Sequence, residues 1–398
     1  MTKIISVNAG SSSLKFQLYE MPEETVLTNG IVERIGFEDA IFTIKVNGEK
    51  VSKVLPVKNH SVAVNLLLEA LVEHKIVATL DEIKGAGHRI VHGGEYFSCS
   101  TLVDADVEGK VEELCALAPL HNPGALVGYR AFRDALPNCK HTFTYDTAFH
   151  QSMKDDSYIF AVPYEWYTEH KVRRYGAHGT SHKYVSERCA AMLGKDIKDT
   201  KIITCHLGSG ASISAVEGGK CVNTSMGFTP LGGIMMGTRC GDIDPAIVPY
   251  MMEKLNCTPK EMDTYMNKKS GLLGVSGVSS DSRDVYAAQA NGDYRSDLAV
   301  RIFYNRVVQV VGSYYAQLGG CDAIVFTAGI GENDPATRAA VSEKLAPTMG
   351  IDFDFELNDG LRGKEVELTK EGSKTRVFLI PTNEEVMIAR DCYEILGA

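Results

Sequence analysis

Short segments of alternating apolar and polar residues dominate the start of the chain. They are rich in β-branched and aromatic residues and are separated by turns at Pro22, Gly36 and Asn47-Gly48: Ile4–Val7, Lys15–Tyr19, Gly30–Ile35 and Ala40–Val46. This pattern predicts an antiparallel β-meander. From Ser61 to His74 apolar residues recur with a period near 3.6, which predicts an amphipathic helix after the meander.

The second half of the chain repeats this beginning. IISVNAGSSSLKF starts at Ile4 and IITCHLGSGASIS starts at Ile202, and the two segments share a glycine-serine turn at Gly10 and Gly208. Glycine permits close backbone approach, so such a turn exposes N–H groups that suit phosphate oxygens. Two copies favour a duplicated fold with a nucleotide between the halves.

Alternating strands and helices follow each meander. The expected elements are strands at Gly87–Val91, Thr142–Ala148 and Ala323–Thr327, a turn at AGIGEN, and helices at Pro245–Leu255, Asp297–Leu318 and from about Thr382 onward. This order predicts an α/β protein of two duplicated ribonuclease-H-like (actin-like) domains with a nucleotide cleft between them. We expect the first domain at residues 1–150 plus 385–398, with a returning C-terminal helix, and the second, nucleotide-binding domain at residues 151–384.

Composition narrows the class of protein. The 398 residues carry a net charge of −10, which disfavours nucleic acid as a partner. No apolar run approaches the ~18 residues of a membrane span, so no membrane association is expected. Ten scattered cysteines without a CxxC pair indicate reduced thiols and a cytoplasmic location.

Two common catalytic motifs are missing from the sequence. There is no GxxxxGK[ST] phosphate loop and no HExxH zinc motif. His178 and His182 have the i,i+4 spacing of a zinc pair, but no third ligand is nearby and Arg173 and Arg174 precede them. A metal at these histidines is therefore disfavoured.

Several longer motifs carry a family resemblance. They run in order along the whole chain: NAGSSSLK (8–15), GHRIVHGG (87–94), YDTAFH (145–150), YGAHGTSH (175–182), HLGSGAS (206–212), MGTRCGDIDP (236–245), FTAGIGEN (326–333) and PTNEE (381–385). With these motifs the chain resembles the acetokinase family of short-chain acyl kinases. The resemblance implies a homodimeric, actin-like two-domain kinase that moves phosphate between ATP and acetate or another short-chain carboxylate.

The chemistry of that reaction agrees with the residues present. A carboxylate nucleophile is already ionised at pH 7, so the reaction needs cations to bring anions together and neutralise a loose phosphoryl transition state. By resemblance, Arg89 binds the substrate carboxylate, Arg239 and His178 stabilise the transferring phosphoryl group, and Asp146 is the family's catalytic acid residue. We expect Asp146 to orient an arginine or a metal-bound water instead, because the nucleophile needs no base.

The resemblance also assigns the remaining ligands. The acyl group is expected against Val91, Leu120 and Pro230, and Mg²⁺, with Mn²⁺ able to replace it, on Asn8 and Glu384. The ATP phosphates and adenosine are assigned to Lys15, His206, Leu207, Gly208, Ser209, Gly210, Asp281, Ser282, Arg283, Gly329, Ile330, Gly331, Glu332 and Asn333. An intact GIG at 329–331 favours ATP over a pyrophosphate donor.

Two positions depart from the family pattern. Ser209 replaces the usual asparagine in the phosphate turn, and Ala177 replaces the usual phenylalanine in the acyl wall. The second change leaves acetate or propionate open as the preferred substrate. A non-catalytic actin-like ATP-binding scaffold is the other alternative, and the set of Arg89, His178 and Arg239 argues against it.

Overall fold

The chain divides into two compact units. The computed structural model describes residues 1–397. The first unit comprises residues 1–151 together with the C-terminal segment from Asn383, and the second comprises Ser152–Thr382.

Fourteen strands lie within residues 1–397. In chain order they are β1 (Thr2–Ala9), β2 (Ser13–Met21), β3 (Thr25–Glu33), β4 (Ala40–Val46), β5 (Glu49–Leu55), β6 (Ile83–Ile90), β7 (Thr101–Leu102), β8 (Lys140–Tyr145), β9 (Lys201–Leu207), β10 (Ala211–Glu217), β11 (Lys220–Thr224), β12 (Ala323–Thr327), β13 (Val366–Glu367) and β14 (Arg376–Leu379).

The same part of the chain contains fifteen α-helices. They are α1 (His60–Glu73), α2 (Ala105–Glu113), α3 (Asn122–Ala135), α4 (Asp155–Tyr158), α5 (Glu165–His170), α6 (Gly179–Leu193), α7 (Ile247–Leu255), α8 (Pro259–Lys268), α9 (Gly271–Ser276), α10 (Ser282–Ala290), α11 (Tyr294–Leu318), α12 (Ala328–Asn333), α13 (Pro335–Met349), α14 (Phe355–Asn358) and α15 (Glu384–Leu396). None of these helices is both long enough and apolar enough to cross a membrane.

The predicted duplication is confirmed by the topology of the two sheets. The first unit has the strand order β5-β4-β3-β2-β1-β6-β8-β7, and the second has β11-β10-β9-β12-β14-β13. In each sheet an antiparallel meander is followed by two parallel strands. The meander has five strands in the first sheet, where β6 and β8 follow, and three in the second, where β12 and β14 follow. The α/β class and the ribonuclease-H-like architecture of each unit follow from this order.

Two local predictions are wrong. Helix α7 begins at Ile247 and not at Pro245, because the Asp244 side chain accepts a hydrogen bond from the Ala246 N–H and closes a turn there. AGIGEN forms the short helix α12 and not an open turn. The meander of the first unit also has a fifth strand, β5, which follows the Asn47-Gly48 turn.

Candidate active site

In the first unit, an arginine and an aspartate meet where two parallel strands end. Arg89 is the penultimate residue of β6, and Asp146 directly follows β8, its parallel neighbour. Arg89 Nε donates to Asp146 Oδ1 at 2.9 Å, and Nη2 donates to Oδ2 at 2.6 Å. Asp146 is only 1% exposed. This bidentate pair fixes the plane of the guanidinium group.

A second carboxylate approaches the same guanidinium. Glu384 opens α15, and its Oε2 lies 3.6 Å from Arg89 Nη1. Burial raises the pKa of Glu384, whereas the charge of Arg89 opposes that rise. Burial lowers the pKa of Arg89, but the charges of Asp146 and Glu384 outweigh it and raise the pKa above its usual value. The cation is therefore permanently charged.

Two glycines of β6 allow α15 to come this close. A Cβ atom at Gly87 would lie 2.5 Å from Ile388 Cγ2, and one at Gly85 would lie 2.7 Å from Cys392 Sγ. Any larger residue at either position would push the helix away from the strand. The pattern Gly-x-Gly-x-Arg thus places Glu384 beside Arg89.

Asn8 and Lys15 face each other across the first hairpin. They are directly opposed in the register of β1 and β2, so their side chains project from the same face of the sheet. Asn8 shares this face with Ser6, which lies opposite Gly87 on β6, and Gly87 faces Ile388 of α15. The oxygen donors assigned to a metal, Asn8 and Glu384, therefore belong to the same region of the first unit.

In the second unit, His178 is the N-cap residue of α6 and has a left-handed conformation with a φ of 59°. Its Nδ1 lies 2.8 Å from Ser212 Oγ, and its ring stacks on His206 with centroids 4.1 Å apart. Both ring nitrogens of His182 contact hydroxyls, Nε2 with Ser212 and Nδ1 with Thr204. Both histidines are therefore tied to hydroxyl groups of the β9–β10 hairpin.

Arg239 lies close to His178 but has no carboxylate partner. Its Nη1 donates to the Pro230 carbonyl at 3.1 Å, and no Asp or Glu of residues 1–397 forms an ion pair with it. A Cβ atom at Gly210 would lie 3.3 Å from Arg239 Nη1 and 3.6 Å from His178 Nε2. Burial lowers the pKa of this guanidinium from its ordinary value. A half-buried arginine without a counter-ion is a place for an anion.

A cavity of about 680 Å³ in the second unit collects most of the residues assigned to ATP. Eight of its lining residues were predicted from sequence: Gly208, Ser209, Asp281, Ser282, Arg283, Gly329, Ile330 and Asn333. They come from three separate segments, namely the β9–β10 turn, the start of α10, and α12. Its volume is in the range of small-molecule sites.

The other residues assigned to ATP lie elsewhere. His206 hydrogen-bonds Ser181, Leu207 is fully buried, Gly210 lies beside Arg239, and Gly331 is buried at α12. Glu332 Oε1 accepts hydrogen bonds from the backbone N–H groups of Ala328 and Thr382, at 2.8 and 3.0 Å. Lys15 belongs to the first unit.

Several residues of the cavity were missed by sequence reasoning. They are Gly237, Leu272, Ser280, Tyr286, Asp334 and Arg362. Arg362 donates to the Asn333 carbonyl, and Tyr286 donates to Asp334 at 2.6 Å. Ser280 precedes a predicted residue and could have been found by extending that motif. Arg362 has no motif around it, so only the fold brings it to the cavity.

The residues expected around the acyl group divide between the two units. In the first unit Val91 is half-buried and Leu120 is 67% exposed. In the second unit Pro230 is half-buried, whereas Ala177 is 3% exposed and belongs to the main apolar core. The small side chain at position 177 is therefore packed within its own unit.

Comparisons with known proteins agree along the whole chain. The model of the acetokinase family matches residues 3–390. An acetate kinase of Geobacillus sp. (strain WCH70) is 56% identical over 391 residues, which cover 98% of each chain. The crystal structure of Porphyromonas gingivalis acetate kinase has a TM-score of 0.95 at 45% identity and covers 100% of both chains. A propionate kinase from Francisella tularensis subsp. tularensis SCHU S4 has a TM-score of 0.93 at 40% identity, covering 99% of this chain and 100% of that one.

Proposed function

The chain belongs to the acetokinase family, and we propose that its residues carry out phosphoryl transfer between ATP and acetate as follows. Acetate kinase activity follows from the family and from relatives at 53–56% identity. The observation that supports the assignment of the site is Arg239, a half-buried cation without a carboxylate partner beside His178.

Arg89 binds the carboxylate of acetate. One edge of its guanidinium, formed by Nε and Nη2, is occupied by Asp146, so the group is held in one orientation before substrate arrives. Because both Asp146 oxygens accept hydrogen bonds from Arg89, we assign Asp146 to positioning this cation. The acetate oxygen attacks as the ionised carboxylate, so no general base is required.

Arg239 and His178 act on the transferring phosphoryl group. Charge on the three equatorial oxygens is spread in a loose transition state, and fixed donors stabilise it. Arg239 supplies a full positive charge that no protein carboxylate neutralises, and His178 supplies a ring N–H. The adenosine and phosphates of ATP occupy the cavity lined by Gly208, Asp281 and Gly329.

Mg²⁺ fits the oxygen donors of the first unit. Magnesium is usually held by one or two carboxylates together with substrate phosphates, and it keeps several waters. Glu384 offers a carboxylate that burial makes costly to ionise without a cation, and Asn8 offers an amide oxygen. When bound, the ion neutralises charge on the phosphates.

We expect Glu384→Ala to weaken the response to Mg²⁺ far more than it weakens the fold. Loss of a carboxylate from the first turn of a helix costs about 0.3–1 kcal/mol of stability, whereas loss of a metal ligand should abolish most turnover. Activity measured across a Mg²⁺ titration, beside the melting temperature, tests this. The neighbouring Glu385→Ala is the matched control. Near-normal activity at saturating Mg²⁺ with a lower melting temperature would make Glu384 only a helix-dipole residue.

The assembly proposed from the family is a homodimer. Helix α7 is a candidate for the dimer interface. This apolar helix (IVPYMMEKL) buries none of its residues within its own chain. Its side chains Ile247, Tyr250 and Leu255 are at least 45% exposed. Such a patch marks an interaction site. Light scattering measures the mass of the wild type and of Tyr250→Glu, and we expect the variant to be monomeric. An unchanged dimer mass in the variant would show that the interface does not include α7.

The direct test of the function is an acyl hydroxamate assay. Protein, Mg-ATP and acetate are mixed with hydroxylamine, which traps an acyl phosphate as a hydroxamate. Acetate should give product, and propionate in a parallel reaction measures the consequence of alanine at position 177. ATP binding without any hydroxamate would favour the scaffold alternative over the kinase.

A further inference from the structure

A chain of buried polar side chains extends behind His178. Its Nδ1 is 2.8 Å from Ser212 Oγ, Ser212 Oγ is 2.8 Å from His182 Nε2, and His182 Nδ1 is 2.7 Å from Thr204 Oγ1. Ser212, His182 and Thr204 are all 0% exposed. These bonds are short and link fully buried side chains, and in such a network each proton position affects the next.

The sheet explains why these side chains meet. Thr204 and His206 alternate along β9, and Ser212 and Ser214 alternate along β10, with Ser212 opposite His206 and Ser214 opposite Thr204. Residues two apart on a strand share a face, so one side of this hairpin is polar. Helix α6 covers that side and brings His182 onto it.

A hydroxyl has one proton, and this couples the two histidines. Ser212 can donate to only one of its two partners and must accept from the other. If both bonds are made, exactly one of His178 Nδ1 and His182 Nε2 therefore carries a proton. Full burial favours a neutral His182, which carries a proton on only one of its two ring nitrogens. The protonation of Nε2 therefore fixes that of Nδ1, and with it whether Thr204 donates or accepts.

Only two arrangements satisfy the chain. In the first, His178 Nδ1 is protonated, His182 donates to Thr204, and the Thr204 proton must go to the Ser214 carbonyl. In the second, Thr204 donates to His182 Nδ1, His182 donates to Ser212, and Ser212 donates to His178 Nδ1. The Thr204–His182 bond is made in both arrangements, and its length of 2.7 Å is typical of a hydroxyl donor, whereas N–H donors usually lie at about 2.9–3.0 Å. The first arrangement would also leave the Thr204 proton on a carbonyl 3.4 Å away, which is long for an O–H bond. Both lengths favour the second arrangement.

We propose that Thr204, His182 and Ser212 are positioning residues that hold His178 as the neutral Nε2–H tautomer. This inference rests on the proposed role of His178 at the phosphoryl group. In this tautomer Nε2 donates a hydrogen bond to a phosphoryl oxygen while the ring is uncharged. A proton on both nitrogens would force Ser212, His182 and Thr204 to reverse their hydrogen bonds together.

The charged neighbour of His178 favours the same state. The Arg239 guanidinium and the His178 ring both approach Gly210, and a cation nearby disfavours a second positive charge. A titratable ring, His206, also stacks against His178 at 4.1 Å and is held through Nδ1 by Ser181. Arg239 therefore supplies the charge, and His178 supplies an oriented donor.

The test removes the far end of the chain without touching His178. Thr204→Val keeps the shape of a buried β-branched residue but deletes the donor to His182 Nδ1. Thr224→Val is the matched control, because Thr224 is also 0% exposed and pairs with Ser214 from the other side, through a 2.8 Å bond between hydroxyls. Thr204→Ser restores the hydroxyl.

Ring ¹⁵N chemical shifts of His178 report its tautomer in the protein without substrate. We expect Nε2–H in the wild type, in Thr204→Ser and in Thr224→Val, and a mixture of both tautomers in Thr204→Val. The kcat of Thr204→Val should fall by up to about tenfold, with the KM for ATP and acetate within about twofold. A wild-type His178 protonated at Nδ1, or an unchanged tautomer in Thr204→Val, would overturn the proposal.

Different results would overturn the proposed role of His178 and the proposed role of the chain behind it. If His178→Ala retained normal turnover, the role at the phosphoryl group would be wrong, whereas the ¹⁵N shifts would still report whether the chain sets the tautomer. A kcat loss in Thr204→Val that persisted undiminished in a His178→Ala background would show that Thr204 does not act through His178, and would also overturn the proposal.

Discussion

Replacement of Arg239 by alanine should lower kcat by roughly 10³-fold or more, with a much smaller change in the KM for ATP. An arginine that meets the transferring phosphoryl group contributes mainly in the transition state, where charge on the phosphoryl oxygens is least shielded. No carboxylate within residues 1–397 neutralises this guanidinium, so its charge is available to the substrate. Single-turnover and steady-state kinetics with Mg-ATP and acetate measure the effect.

The matched control is an arginine on the surface of the same unit. Arg301 forms an ion pair with Asp297 four residues earlier on α11, and an exposed pair of this kind contributes little. Arg301→Ala should therefore leave kcat within about twofold of the wild type. If Arg239→Ala kept more than a tenth of wild-type kcat, Arg239 would have no part in the transition state.

The duplicated fold could be predicted because its signals are local. A β-branched segment, a glycine-serine turn and a second strand recur at Ile4 and Ile202, and their pairing is fixed within a hairpin. The errors occur where two local signals compete. At 244–246, Asp244 could cap either a helix or a turn, and its hydrogen bond to Ala246 decides for the turn.

The site was predictable only where a motif surrounds each residue. Gly208, Asp281 and Gly329 lie in recognisable sequence motifs, and the fold brings all three to one cavity. Arg362 reaches the same cavity from a segment without any motif, so a long-range contact alone places it there. Thr204 and His182 are a further case, because TCHLGSGASIS reads as an ordinary alternating hairpin until α6 covers its polar face.

For Asp146 the sequence left two partners open, an arginine or a metal-bound water, because it could not show what the carboxylate contacts. The structure places both oxygens on Arg89, at 2.9 and 2.6 Å. A general base needs a free oxygen within reach of a proton, and a positioning residue needs the geometry seen here. A positioning role for Asp146 should therefore affect both the stability of the first unit and the response to acetate.

We expect Asp146→Ala to destabilise the first unit by about 3 kcal/mol and to lower kcat/KM for acetate by at least about 10²-fold. Removal of one partner of a buried pair leaves the other charge uncompensated, and breaking such a pair costs about 3–5 kcal/mol. Glu384, 3.6 Å from Arg89, compensates part of the loss and places the value at the lower end. Urea unfolding and steady-state kinetics measure the two effects.

Two further variants separate a positioning residue from a proton acceptor. In a double-mutant cycle, Arg89→Ala should remove most of the stability cost of Asp146→Ala, because no unpaired cation remains. Asp146→Asn keeps one acceptor oxygen for Arg89, so it should retain part of the acetate response and leave the pH dependence of kcat unchanged. Loss of the acidic limb of the pH profile in Asp146→Asn, with KM for acetate unaltered, would instead identify Asp146 as the group that accepts a proton. The bidentate geometry predicts an altered KM for acetate and an unchanged pH profile, since an aspartate whose two oxygens are held by one guanidinium acts through that guanidinium.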